Sequence, residues 1–375
     1  MEMATSLNSR QAALTCSGHT RPVVYLSFSP ITKYGYYLIS ACKDGKPMLR
    51  QGETGDWIGT FIGHKGAVWG VALNHDASRS ATGAADFMAK LWNAVSGEEI
   101  HSFPHQHIVR SVDFNKAGDK LLTGGSERIL KVFDLNHFNA GLVSPSSLPV
   151  FLAMNNIQLT PSLYNNGSKH KCRHGVVPEP AVFKGHQGSI RQALYLNDSI
   201  LMSASDDKTV SCTSSGGARF WDKRLEKDVR QLHFSTCPSS LELSPDRSTL
   251  VVAYGRSVGF WSVSGSDPCH LLQELSVPTS VNSASLHPSK SVFVCAGEDC
   301  KVYKYDYLTG VELECFKGHF GTIHCIRFSP DGELYATGSE DGTLRLWQTT
   351  VGKNYGLWRC GTSPDKSPNG EILDM

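Results

Sequence analysis

Two stretches of this chain repeat the same spacing of four residue types without a gap. Each stretch opens on a Gly-His pair and closes on a Trp that lies 28 residues after the His. Between them, an Asp precedes the Trp by six residues and a Thr precedes the Asp by four. A spacing kept over this length at two distant places indicates one structural unit in two copies. The two sets are His64, Thr82, Asp86 and Trp92, and His319, Thr337, Asp341 and Trp347.

Five weaker units follow from the same offsets. One has Arg50 where the Trp should stand, another has Glu127 in place of the Asp, and a third needs an insertion of eight residues at 211–218. Two more have lost the Gly-His pair, yet Trp261 and Asp299 keep the later spacing. The remaining residues placed in this way are His19, Ser40 and Asp44; His105, Thr123 and Phe133; and His186, Ser203, Asp207 and Trp221.

Within each unit, apolar and polar residues alternate in short runs bounded by Gly, Asp, Ser or Pro, which indicates strands joined by tight turns. Seven such units with a Gly-His to Trp-Asp pattern predict an all-β fold, a seven-bladed WD-repeat β-propeller over residues 12–360. We expect residues 12–16 to supply the outer strand of the last blade, because closing the ring removes two exposed sheet edges. Residues 355–360 are a further strand candidate, and residues 1–11 and 361–375 are expected to be flexible.

Two segments interrupt the pattern. Residues 136–178 carry no repeat signature and are predicted to be a long inserted loop, whereas residues 211–218 are a short insert in the fourth blade. The loop contains two His and a Cys at 170–174, which resemble half of a zinc site, but no second pair of ligands lies nearby in the sequence. We therefore predict no metal and no cofactor.

The spaced His, Thr or Ser, Asp and Trp predict a buried polar chain in each blade. The Asp would accept from the His, the His would bond to the hydroxyl, and the hydroxyl would accept from the indole N–H, so that each polar group is satisfied. A hydrolytic triad has a similar composition, but a catalytic group would occur once and in a cleft. Recurrence at fixed spacing favours a structural role, and the sequence predicts no enzyme.

Composition narrows the function classes. The formal net charge is +1, so there is no global field to attract nucleic acid or an acidic membrane. No apolar stretch approaches the roughly 20 residues of a membrane span, and no signal peptide is evident. The 11 cysteines include no Cys-x-x-Cys motif, which favours reduced, buried thiols. A soluble, intracellular protein is expected.

The position five residues after the His position of each repeat predicts a ring of side chains around one mouth of the central channel. An exposed Trp with two Arg is typical of an interface anchor. The alternative is that the Trp packs on its neighbours and the Arg side chains pair with carboxylates of the blades. The ring consists of Val24, Trp69, Arg110, Arg191, Ser239, Asn282 and His324.

Several segments closely resemble the serine-threonine kinase receptor-associated protein family, also called the unr-interacting proteins. The most specific is Lys43-Asp-Gly-Lys-Pro-Met-Leu-Arg50, in which Arg replaces the Trp of the repeat. The resemblance covers about 12–135 and 180–360, and the two inserts depart from it. The other segments are residues 17–24, 38–51, 55–59, 254–257, 282–288, 318–321 and 347–348.

The resemblance implies a protein-interaction scaffold, monomeric within larger assemblies, in the cytoplasm with a nuclear fraction. Its implied partners are Gemin subunits of the survival-of-motor-neuron complex, which assembles spliceosomal ribonucleoproteins for mRNA splicing. It also implies restraint of TGF-β signalling through the receptor and an inhibitory Smad. The alternative is a propeller that binds RNA directly in mRNA translation, although this neutral sequence has no evident basic, aromatic stripe.

Overall fold

The computed structural model describes residues 13–138, 179–207, 217–222, 227–264 and 270–350. These residues contain 28 strands, which form seven four-stranded antiparallel sheets. In six sheets the four strands follow chain order from the innermost to the outermost strand. In sheet 7 the outermost strand is the first of the chain, so the two ends of the described chain meet there.

The strands are short, mostly six residues, as the spacing of turn residues predicts. From the innermost strand outward, sheets 1 to 3 consist of β2 Val23–Phe28, β3 Tyr37–Cys42, β4 Met48–Gln51 and β5 Trp57–Thr60; β6 Val68–Leu73, β7 Arg79–Ala84, β8 Met88–Asn93 and β9 Glu99–Pro104; and β10 Val109–Phe114, β11 Lys120–Gly125, β12 Ile129–Asp134 and β13 Ala181–Lys184. Sheets 4 and 5 consist of β14 Ile190–Tyr195, β15 Ile200–Ser205, β16 Gly217–Asp222 and β17 Lys227–His233; and β18 Pro238–Leu243, β19 Thr249–Tyr254, β20 Ser257–Ser262 and β21 His270–Ser276. Sheets 6 and 7 consist of β22 Val281–Leu286, β23 Val292–Gly297, β24 Lys301–Asp306 and β25 Glu312–Lys317; and β26 Ile323–Phe328, β27 Leu334–Ser339, β28 Leu344–Gln348 and β1 Leu14–Cys16.

The sheets are arranged in a ring. The innermost strand of each sheet contacts the innermost strand of the next, and β26 of the last sheet contacts β2 of the first. Strand β1 pairs with β28, with Leu14 opposite Leu346. The predicted all-β propeller is therefore confirmed, and the closing strand predicted at residues 12–16 is found at Leu14–Cys16.

The apolar core lies between neighbouring sheets rather than at the centre of the ring. Phe260 of sheet 5 and Phe293 of sheet 6 are both fully buried, with ring centroids 5.1 Å apart. Strand β23 is buried along nearly its whole length, whereas the outer strand β25 alternates between partly buried and exposed residues. The innermost strand of each sheet is thus left to line the central channel.

The bounds of both inserts need correction. Residues 136–138, assigned to the loop from the sequence, form a short 3-10 helix whose Phe138 ring packs on His101 and Phe103. Residues 217 and 218, assigned to the second insert, begin β16 and pair with β15. These residues carry no repeat signature, but their backbone groups still form the hydrogen bonds of regular structure. The rest of both inserts, the ends at 1–11 and 361–375, and the strand candidate at 355–360 lie outside the described residues.

The described part of the chain is built almost entirely of strands. Its one helical element is the three-residue 3-10 helix at Asn136–Phe138. None of its helices has the length and apolar character needed to cross a membrane. The described cysteines are free thiols, and burial raises the pKa of the Cys325 thiol to about 12.

Candidate functional site

Four sheets contain the predicted bonds from a His to a carboxylate and to a hydroxyl. In sheet 2, His64 Nδ1 lies 2.8 Å from Asp86 Oδ2 and its Nε2 lies 2.6 Å from Thr82 Oγ1. The loops before β6 and after β7 bring these residues together, because both lie at the same end of the sheet. The other three sets are His19 with Asp44 and Ser40, His186 with Asp207 and Ser203, and His319 with Asp341 and Thr337.

The Trp of the repeat completes the chain in sheets 2 and 7. Trp92 Nε1 donates to Thr82 Oγ1 at 2.9 Å, and Trp347 Nε1 donates to Thr337 Oγ1 at 2.9 Å. The side chain of Trp221, predicted to do the same in sheet 4, lies outside the described residues. Where the Trp is present, the hydroxyl both donates to the His and accepts from the indole, so no donor in the chain is left unpaired.

Sheet 3 departs from the prediction for Glu127. His105 Nε2 bonds to Thr123 Oγ1 at 2.9 Å, as expected, but its Nδ1 lies 3.0 Å from the backbone oxygen of Phe103. Glu127 instead forms an ion pair with Lys131, with Oε2 2.7 Å from Nζ. The nearby lysine offers this carboxylate a full positive charge, which is a stronger partner than a neutral imidazole.

In sheet 1, Arg50 replaces the Trp and is buried. Its guanidinium donates to the backbone oxygens of Ser17 and Gly55 rather than to the hydroxyl of the polar chain. The substituted residue therefore ties two turns to the sheet. This contact depends on backbone groups, and sequence spacing alone does not indicate it.

In sheet 7, burial and hydrogen bonding favour a neutral His319 and an ionised Asp341. Burial lowers the pKa of His319 by more than its bond to Asp341 raises it. Burial also raises the pKa of Asp341, but the bonds donated by Phe320 N–H, Thr343 and His319 outweigh this effect and hold the pKa at about 2. The Asp therefore accepts the Nδ1–H of a neutral imidazole.

Each polar chain has the Asp, His and hydroxyl sequence of a hydrolytic triad, but its hydroxyl is not accessible to a substrate. The hydroxyl-bearing residues Ser40, Thr82 and Thr337 have no exposed surface. A nucleophile must reach a substrate carbonyl, and these oxygens are already bonded inside the sheets. The geometry supports a structural role for each chain.

One further cluster has the composition of a metal site. The ligand atoms of His19, Cys42 and Asp44 all lie within 4.8 Å of one another. Both nitrogens of His19 are hydrogen-bonded, and burial raises the pKa of the Cys42 thiol to about 12. Cys42 Sγ also donates to the backbone oxygen of Arg21 at 3.0 Å, so these residues fit the polar chain of sheet 1 better than a metal site.

The seven residues predicted to form a ring at one end of the channel all line a single cavity of about 180 Å³. Each is the second residue of an innermost strand, directly after the loop that carries or replaces the Gly-His pair. We call this opening the upper mouth. Its members are Val24, Trp69, Arg110, Arg191, Ser239, Asn282 and His324.

Trp69 is half-buried, not exposed as its sequence position suggested. Arg110 Cζ lies 5.2 Å from the centroid of its ring, and Lys43 Nζ lies 5.8 Å from it. Trp69 therefore packs against two neighbouring cations and also lines the opening. The two cations cover the indole because its π face attracts them.

The other polar members of the ring have partners within the ring of sheets. Arg191 pairs with Asp206, and His324 Nε2 lies 2.5 Å from Glu340 Oε2. Asn282 Nδ2 donates to the backbone oxygen of Ile323 at 3.0 Å, which links sheets 6 and 7. The side chain of Arg191 is nonetheless 41% exposed to solvent.

A polar constriction that sequence reasoning missed separates the upper mouth from a larger cavity. Tyr25, Gln192 and Arg327 line both spaces. Gln192 Nε2 donates to Tyr25 Oη at 3.0 Å, and Arg327 Cζ lies 5.6 Å from the Tyr25 ring. The sequence signal was that Tyr25 and Gln192 are the third residues of their innermost strands, where the other five sheets have Gly, Ser or Cys.

Beyond the constriction lies a lower cavity of about 720 Å³ whose wall includes Asp113 and Glu242. Burial raises the pKa of each carboxyl to about 7, although Arg327 lowers that of Glu242 and Tyr195 N–H lowers that of Asp113. Ser285 Oγ donates to Glu242 Oε1 at 2.9 Å, and Oε2 has no hydrogen-bond partner among the described residues. These carboxyls titrate near neutral pH.

Comparison with known proteins places the chain in a family. A family model for the WD domain, G-beta repeat, matches residues 55–93, 97–134, 269–306 and 310–348. The human serine-threonine kinase receptor-associated protein is 51% identical over 351 residues, which cover 94% of this chain and 86% of the human protein. This chain belongs to that family. The family member from Dictyostelium discoideum is 41% identical over 335 residues, 89% of this chain and 98% of the relative.

The family resemblance predicted from the sequence is therefore confirmed. A more distant relative is the eukaryotic translation initiation factor 3 subunit I of Culex quinquefasciatus, 28% identical over 356 residues. The match covers 89% of this chain and 95% of that protein. Likeness along nearly the full length of each relative agrees with a fold made of one continuous ring of repeats.

Proposed function

We propose that this chain is a non-enzymatic protein-interaction scaffold, a seven-bladed propeller that docks partners at its upper mouth. The observation that carries the proposal is the convergence of Trp69, Arg110 and Arg191 on one opening at the end of the channel. Aromatic and Arg side chains surrounded by loops are typical of interface anchors.

Exposed apolar side chains occur on the loops at the same end of the sheets. Ile62 and Phe320 are 77% and 92% exposed, and Phe87 is also exposed. Each lies next to a residue of a polar chain: Ile62 just before Gly63-His64, Phe87 after Asp86 and Phe320 after His319. Exposed apolar and aromatic side chains on the loops at this end of the sheets favour a protein partner over a small ligand.

The partners that we propose are those implied by the family. They are Gemin subunits of the survival-of-motor-neuron complex, and the TGF-β receptor with an inhibitory Smad. The name of the human relative, which describes an association with a kinase receptor, supports a receptor partner. Work in spliceosomal ribonucleoprotein assembly would place the chain in the cytoplasm, with a nuclear fraction.

Capture from cell extract tests the docking face. We expect the double variant Trp69→Ala with Arg191→Ala to keep the fold and to recover much less of the Gemin subunits, measured by affinity purification and mass spectrometry. The matched control is Ile31→Ala, which removes a 60% exposed apolar side chain from the lower cavity. It should recover the same proteins as the unmodified chain.

Circular dichroism melts of all three proteins check the fold. Trp69 is half-buried, so Arg191→Ala alone is the second test should the double variant unfold. Unchanged capture by a folded double variant would reject the upper mouth as the docking face. Loss of capture in the Ile31→Ala control would move docking to the opposite end of the channel.

A second candidate is direct RNA binding in translation. Trp69 between two cations resembles the stacking platforms of single-strand binders, and it favours this candidate. Against it, Asp206 and Glu340 lie at the rim of the upper mouth, paired with its cationic side chains, and the formal net charge is only +1. A gel shift with single-stranded RNA at two salt concentrations distinguishes the candidates, because phosphate contacts are strongly salt-dependent.

A further inference from the structure

The charges that line the upper mouth all have one sign. Four cationic side chains line it, with His324 beside them, and no Asp or Glu is among the described residues of its wall. Two carboxylates, Asp206 and Glu340, lie at its rim. Asp206 pairs with Arg191, and Glu340 Oε2 lies 3.6 Å from Lys43 Nζ and 2.5 Å from His324 Nε2. The four cations are Lys43, Arg110, Arg191 and Arg327.

Arg110 is the member of this set whose charge is least compensated. Arg191 is paired with Asp206, and Lys43 Nζ lies 3.6 Å from Glu340 Oε2. Arg327 lies in the constriction, where it donates to Ser283 Oγ at 2.8 Å and to the backbone oxygen of Leu241 at 3.1 Å. Within the part of the chain that the structure describes, Arg110 has only the face of Trp69.

Two N–H donors at the same place are also unsatisfied. Trp69 Nε1 and Arg110 Nε are buried and have no hydrogen-bond partner among the described residues. Leaving a donor buried and unpaired is unfavourable, so an anionic acceptor that draws both side chains towards the opening removes that penalty. A neutral acceptor would do so less well, because a charged acceptor makes the stronger hydrogen bond.

We infer that the upper mouth recognises an acidic peptide segment of a partner protein, one of whose carboxylates binds Arg110 beside Trp69. This inference rests on the proposed docking function and specifies the chemical class of the docked partner. A peptide fits better than a nucleic acid because the positive wall is confined to one cavity of about 180 Å³ with carboxylates at its rim. The phosphates of a nucleic acid would extend beyond the mouth, where these carboxylates would repel them.

The test uses a fluorescein-labelled octapeptide of alternating Glu and Ser, and the same peptide with Gln in place of Glu. Fluorescence anisotropy with the full chain should show the Glu peptide binding about tenfold more tightly than the Gln peptide. Its affinity should also fall as salt rises from about 50 to 300 mM, because ions screen the exposed charges.

Arg110→Gln is the informative variant, because Gln can still cover part of the Trp69 ring but carries no charge. We expect it to weaken the Glu peptide about tenfold and to leave the Gln peptide unchanged. The matched control is Lys116→Gln, which removes a cation from the lower cavity and should change neither. Equal affinity for the two peptides, or no effect of Arg110→Gln, would overturn the inference.

Two further outcomes separate this inference from the proposed function. If the double variant at Trp69 and Arg191 loses protein capture while the Glu peptide fails to bind, docking stands and the acidic partner is rejected. If the Glu peptide binds through Arg110 while capture persists in both variants, the mouth binds acids but is not the docking face. An RNA octamer that binds more tightly than the Glu peptide, in an Arg110-dependent way, rejects the peptide in favour of nucleic acid.

Discussion

Trp347 donates its indole N–H to the hydroxyl oxygen of Thr337, with 2.9 Å between the two atoms. The same oxygen lies 2.7 Å from His319 Nε2, and His319 Nδ1 lies 3.0 Å from Asp341 Oδ2. One buried hydroxyl thus connects the third strand of the sheet to the loop before its first strand. Trp92, Thr82, His64 and Asp86 repeat the arrangement in sheet 2.

The first prediction concerns His319. His319→Ala should lower the free energy of unfolding by about 1–3 kcal/mol, because Thr337 and Asp341 each lose a buried partner. A urea melt measures the change. The control is His75→Ala, at an exposed position in a turn, which should change stability by less than about 0.5 kcal/mol. Equal melts for the two variants would show that the polar chain contributes nothing to stability.

The second prediction compares sheets 2 and 3. His64→Ala should be more destabilising than His105→Ala by about 1 kcal/mol, because only the former leaves a buried carboxylate without its imidazole. His105 bonds to a backbone oxygen, and Glu127 keeps its ion pair with Lys131. Parallel urea melts of the two variants test this difference. A larger loss for His105→Ala would contradict the pairing described for Glu127.

The third prediction concerns the close approach of two backbones at Gly297. A Cβ atom at Gly297 would lie 1.8 Å from the backbone oxygen of Ser280, which precedes the paired strand β22 and accepts from Glu298 N–H. Gly297→Ala should therefore cost about 2–4 kcal/mol. Gly59→Ala is the matched control, since nothing lies within 4 Å of its Cβ position. Thermal melts should separate the two variants clearly, and similar melting temperatures would contradict the packing.

The fourth prediction is a pH dependence from Glu242. Its pKa is raised from 4.5 to about 7, so the folded chain keeps this proton through a window in which the unfolded chain has lost it. Stability from this group must therefore fall as pH rises through that window. Glu242→Gln removes the effect, and its stability relative to the unmodified chain should increase by about 1–3 kcal/mol between pH 5 and 8.

Urea melts at both pH values measure this change, and Glu98→Gln, in an exposed turn, provides the control. The control should show the same difference from the unmodified chain at each pH. A stability gain for Glu242→Gln that is independent of pH would mean that the carboxyl does not change protonation in this range.

Local spacing was enough to predict the features that recur from repeat to repeat. Because each polar chain is built within one sheet and the loop before it, its residues could be found from offsets of a few tens of residues. The upper mouth followed for the same reason, since equivalent positions of a ring of repeats face the same opening. The partner of Glu127 could not be predicted from these offsets. Lys131, which is not part of the repeat pattern, forms an ion pair with its carboxylate.

The sequence by itself determined the repeat, the propeller and which positions face the channel. Only the closed circle of sheets decided that Tyr25 contacts Gln192, 167 residues away in the chain. It also brought Arg327 of sheet 7 over the aromatic ring of Tyr25. It also decided that Glu242 is desolvated beside Arg327 and that Arg110 is left with an indole as its partner. Contacts across the channel and the solvation of a charge depend on all the sheets at once, and no single repeat contains that information.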